Sequence, residues 1–71
     1  MQHFKETMKI TTKLAKLKKD FIREHGQDPT TLYISTVDAV QVRRFGVKVE
    51  VEGNVMGMRV AAIGGITKVA E

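Results

Sequence analysis

The chain has 71 residues, no cysteine and a formal net charge of +4. That length fits one small domain over residues 1–71. It buries only roughly 60% of its unfolded surface, so the core has little stability to spare. The lack of cysteine excludes disulfide staples and thiolate metal sites.

No run approaches the roughly 18 apolar residues of a spanning helix, and "MQHFKETMKI" is no secretory leader. The expectation is a cytoplasmic protein without membrane contact. So small a core also favours a homodimer, in which a second copy buries what one chain cannot. The charge is uneven. Residues 1–25 carry seven Lys or Arg against three acids, whereas residues 26–71 carry five against five.

From about Phe4 to His25 the spacing predicts one long amphipathic helix. Ile10, Leu14, Leu17 and Phe21 repeat at i, i+4, i+7, i+11, the period that keeps side chains on one face. Phe4, Met8, Ala15 and Ile22 form a second apolar stripe beside it. The apolar half is then wide enough for both a core and a partner, with Phe4 and Met8 as the self-association residues. Lys5, Lys9, Lys13, Lys16, Lys19 and Arg23 fall on the other half. Lys18 falls among the apolar positions, where its stem lies flat and its ammonium snorkels out. Gly26 and Pro29 end the helix.

"TLYIS" at 31–35 reads as a strand. The next stretch, "STVDAVQVRRFG", carries opposed signals. Val37, Val40 and Val42 prefer strand. Ser35 or Thr36 as a cap, Asp38 in the first turn, Arg43 and Arg44 in the last and Gly46 after it mark a short helix. The end signals decide for helix over residues 36–45.

In "VKVEVEGNVMGMRV" the valines 47, 49 and 51 alternate with Lys48, Glu50 and Glu52. Gly53-Asn54 then serves as a two-residue hairpin turn. That register sets Val51 opposite Met56, Val49 opposite Met58, Val47 opposite Val60 and Glu50 opposite Gly57, with Arg59 opposite Lys48. "AAIGG" continues or ends the second strand, and "ITKVAE" adds a short edge strand or frays. The expected fold is α+β: a long N-terminal amphipathic helix packed on a small, mainly antiparallel sheet, in the order α-β-α-β-β.

Chemistry-bearing constellations are absent from the sequence. His3 and His25 stand apart, with no cysteine or carboxylate at ligand spacing, so no metal, cofactor or catalytic residue is expected. Gly64-Gly65 with Thr67-Lys68 lacks the spacing and order of a phosphate loop. The cationic helix face supports two readings. It is either a solvated face, or a stripe about 30 Å long whose Lys5, Lys9, Lys13, Lys16, Lys19 and Arg23 track a nucleic-acid backbone. Met56 and Met58 read as packing residues. Arg43-Arg44 reads either as helix-end charge or as a clamp for an acidic partner.

Leu32 to Ser35, the helix after them, and Gly53, Gly57 and Val60 resemble a strand, short helix and glycine-marked turn-and-strand common in tailed-phage major capsid proteins. The likeness covers about half the chain. It departs at Arg59, where that family often has proline, and in length, since a capsid subunit is several times longer. The resemblance implies a small phage or prophage protein and transfers no catalytic residue. The primary expectation is a non-enzymatic protein–protein binding or structural module, and the alternative is a nucleic-acid-binding module.

Overall fold

The structure, a computed structural model, describes residues 9–71. Helix α1 spans Lys9–His25 and is followed by strand β1, Thr31–Ile34, and helix α2, Thr36–Arg44. Three further strands complete the chain: β2, Asn54–Val55; β3, Met58–Ile63; and β4, Lys68–Ala70. The class is α+β. Residues 4–8, which the periodicity assigns to the first helix, lie outside the described residues, as do Phe4, Lys5 and Met8.

The core follows from the stripe read on α1. Ile10, Leu14 and Phe21 are buried, and Leu17 packs against the same cluster. Ile10 and Leu14 cluster with Leu32, Ile34, Val55, Met58 and Val60 of the sheet side, and α2 adds Ala39 and Val42. Both helices therefore cover one face of the sheet, while Thr31, Tyr33, Arg59 and Lys68 lie at the alternate positions that face the other way. α1 stops where the Gly26 N–H reaches the Ile22 carbonyl at 2.8 Å, with Gly26 at φ 73°.

The sheet order is β2-β3-β1-β4. It is mixed rather than mainly antiparallel. β1 runs parallel to β3 at its centre, and the outer pairs β1–β4 and β2–β3 are antiparallel. A parallel pair needs a crossover, and α2 supplies it. The register of β1 on β3 shifts between Leu32 and Tyr33, so Ala61 is the extra residue. "ITKVAE" forms the edge strand β4, which gives the order α-β-α-β-β-β.

The hairpin lies one turn further along than the alternation predicts. Val55 pairs with Met58 and Asn54 with Arg59, so Met56-Gly57 makes the two-residue turn. Both residues have positive φ, 53° and 81°, as a type I′ turn requires. Gly53 serves another purpose. The Glu52 N–H donates to the Val60 carbonyl and the Val60 N–H to the Gly53 carbonyl, so two residues oppose one, as in a β-bulge. A Cβ at Gly53 would sit 3.1 Å from the Glu50 carbonyl oxygen, which explains why no side chain is present there.

Residues 47–50 therefore form no strand, and the expected pairings of Val47, Val49, Val51 and Glu50 do not occur. Val49 is buried all the same, as part of a loop held by Arg43, whose guanidinium donates to the Val49 carbonyl at 2.7 Å. Val47 and Val51 are exposed. Arg59 pairs with Glu52 at 3.1 Å rather than facing Lys48, which instead lies 3.6 Å from Glu50.

Candidate functional site

The most connected polar cluster joins three elements at the start of α2. Ser35 is the N-cap: its backbone is extended, and its hydroxyl accepts the Asp38 N–H at 3.1 Å. Asp38 Oδ2 accepts from Lys13 Nζ at 2.8 Å and from the Thr67 hydroxyl at 2.6 Å. The Thr67 oxygen in turn accepts the Ser35 N–H at 2.9 Å. Burial raises the pKa of Asp38. The hydrogen bonds of Lys13 and Thr67, the charge of Lys13 and the Ser35 hydroxyl outweigh that and hold it below its ordinary 3.8. These bonds tie α1, the α2 N-terminus and the segment before β4 to one another.

This network takes Lys13 out of the cationic stripe. Lys16 and Arg23 stay exposed and share one carboxylate, Asp20, at 3.6 and 3.0 Å. Lys5 lies outside the described residues, and Lys9 opens α1. Lys19 is exposed and lines two shallow depressions, one with Lys16 and Arg23, the other with Lys18 and Ile22. The stripe is thus interrupted by one ion pair on its flank and one acid in its middle.

His25 stacks on Phe21 at 4.2 Å between ring centroids, closing the C-terminal end of the core. Among the described residues, no group of three or more His, Cys, Asp or Glu is placed to hold a metal ion. No described helix is long and apolar enough to cross a membrane.

Among the described residues, two groups of exposed apolar side chains stand out beside the single Val51 and Ile66. On α2, Val37 and Val40 stand at i and i+3 on the side opposite the buried Ala39 and Val42, with Val37 68% exposed. Phe45 and Val47 follow directly and are also exposed. Of the three valines that weakened the helix reading, Val37 and Val40 face outward and Val42 inward. The second group lies between α1 and the β2–β3 turn, where Ala15 and Ile22 face Met56. Lys18 crosses this gap as its stem predicts, donating from Nζ to the Met56 carbonyl at 2.9 Å. Met58 is fully buried as expected, whereas Met56 in the turn is 42% exposed.

Thr67 and the α1–Met56 gap carry no sequence signal of their own, because both arise from contacts between distant segments. No protein-family model, curated protein or solved structure matches this chain.

Proposed function

We propose that this chain is a non-enzymatic protein-binding module that self-associates, with the outer face of α2 as the surface between two copies. The observation that carries the reading is the exposed Val37/Val40 pair on the outer face of α2, with Phe45 and Val47 exposed in the segment that follows. A domain this small gains by covering such a band, and exposed apolar patches mark contact surfaces. On the helix itself, Arg44 is the charged residue that falls between Val37 and Val40. This face offers a partner little charge to read, so packing against its own copy suits it best. A structural role of the kind implied by the likeness to tailed-phage capsid proteins, in a cytoplasmic setting, belongs to the same proposal. So do Phe4 and Met8 as further self-association residues.

Sedimentation equilibrium over a wide concentration range tests this. The parent chain is expected to dimerise, and Val37→Lys with Val40→Lys to leave a monomer whose thermal unfolding resembles that of the free parent chain. A parent that stays monomeric throughout, or a dimer indifferent to both substitutions, removes the proposal. Phe4→Ala with Met8→Ala is expected to weaken the dimer further.

A second reading rests on the exposed side of α1, where Lys16, Lys19 and Arg23 share one side of the cylinder: nucleic-acid binding through phosphate contacts. With Asp20 between two of these cations, few phosphates are engaged. Anisotropy with labelled duplex DNA and single-stranded RNA is expected to give a log–log salt slope no steeper than about −3. No binding at low salt makes the stripe a solvated face.

A further inference from the structure

The gap between α1 and the β2–β3 turn has a chemistry the α2 band lacks. It is a groove of about 500 Å³ with an apolar floor of Ala15, Ile22 and Met56. Lys18 crosses it to the Met56 carbonyl. Lys19 and Arg23 border it on the α1 side, Arg23 also pairing with Asp20 at 3.0 Å, and no acid is among its described lining residues. Ala15 and Ile22 stand about 10 Å apart along α1, the length of two helical turns, with the stems of Lys18 and Lys19 between them on the same face. Met56 reaches it from a position with φ 53°. Glycine or asparagine suits that backbone better than a long apolar side chain, and a local rule broken at a half-exposed position marks a site under another constraint.

We propose that this groove docks an acidic amphipathic helical segment of another protein. The partner's apolar side chains at i, i+3 and i+7 fill the floor, and its carboxylates meet Lys19 and Arg23 along the α1 side. The charge complement decides the occupant. A second copy has no helix of the right sign, since α1 carries five lysines and Arg23 against Asp20 and Glu24, and α2 carries Arg43 and Arg44 against Asp38. A nucleic-acid backbone would meet the rim and leave the floor unused. The inference rests on the reading of the chain as a protein-binding module and adds a second surface with a partner of different chemistry.

The test uses a fluorescent synthetic helical peptide with leucine and alanine on one face and glutamate on the other. Its counterpart carries lysine in place of glutamate. Both are titrated against the full chain by anisotropy. The acidic peptide is expected to bind at least about tenfold more tightly than the basic one. Ile22→Gln and Met56→Gln, which leave the charge unchanged at half-exposed positions, are each expected to weaken it by about tenfold. Lys19→Glu is expected to weaken it more than Arg44→Glu, which changes net charge by the same amount on α2. Circular dichroism confirms that each variant is folded.

Equal losses from Lys19→Glu and Arg44→Glu make the attraction one of net charge alone and overturn the proposal, as do unchanged affinities for both Gln variants. Absence of acidic-peptide binding overturns it too. If binding is lost instead with Val37→Lys and Val40→Lys, the groove assignment falls and the protein-binding reading stands. If no peptide binds and the chain is also monomeric, both fall.

Discussion

Thr67 is the residue on which the α2 N-terminus turns, and replacing it by valine isolates what its hydroxyl contributes. The substitution keeps the shape and removes two bonds: the donation to Asp38 at 2.6 Å and the acceptance of the Ser35 N–H at 2.9 Å. The first is charge-assisted and contributes about 1.5–3 kcal/mol; loss of the second leaves a part-buried amide donor unpaired at a cost of about 1–3 kcal/mol. Partial relaxation and the extra methyl reduce the sum, so about 3 kcal/mol is expected. Total stability for this length is about 4–10 kcal/mol, and the melting temperature should fall by more than about 10 °C.

Urea unfolding at neutral pH measures the loss, read from the midpoint with an unchanged slope. The pH dependence has a definite sign. The carboxyl of Asp38 has a lowered pKa in the folded protein, so its contribution is complete above the unfolded value of 3.8 and disappears as pH falls through the folded value. The deficit of Thr67→Val should therefore shrink when the comparison is repeated in acid, as pH falls through the folded value. A variant within about 0.5 kcal/mol of the parent at neutral pH, or one with the same deficit at both pH values, refutes the account of the network.

Met58→Ala empties a fully buried site in the cluster under α1 and should cost about 3 kcal/mol in the same urea assay. Gly57→Ala forces a Cβ onto φ 81° and should cost about 1–2 kcal/mol. Met56→Asn, at the neighbouring turn position, should stabilise the hairpin by about 0.5 kcal/mol while stripping the groove of its far wall, so stability and peptide binding move in opposite directions. Asp38→Asn should flatten the acid limb of the stability–pH curve below the unfolded value of 3.8, measured by thermal melts on either side of it.

How much could be read beforehand differs by element. α1 was legible because Ile10, Leu14, Leu17 and Phe21 obey a period that only a helix turns into one face. α2 was legible from its ends: the cap at Ser35, Asp38 in the first turn and Gly46 beyond outweighed three valines. Those valines mislead only when taken as core signals, since Val42 is inside and Val37 and Val40 are outside. The hairpin was misplaced because alternation in residues 47–52 looks the same whether or not a strand forms, and Gly53-Asn54 is a turn signal that a bulge satisfies equally well. A parallel pairing of β1 with β3 leaves no local mark at all. Of the candidate surfaces, the cations of α1 were visible as a stripe, but not that Asp38 and Asp20 would engage three of them. Those contacts cross between elements or depend on which rotamers the packing allows.

β1 sits inside the sheet, yet both strands that flank it are made after it: Thr31 pairs with Arg59 on one side and with Ala70 on the other. During synthesis the most buried strand of the sheet emerges with two open edges and keeps one of them until Lys68–Ala70 appear. The sheet cannot close progressively from its N-terminal end, and a chain shortened before Lys68 keeps a permanent free edge on β1. Interruption of synthesis before β4 should therefore yield a sticky, aggregating species rather than a slightly weaker version of the same domain.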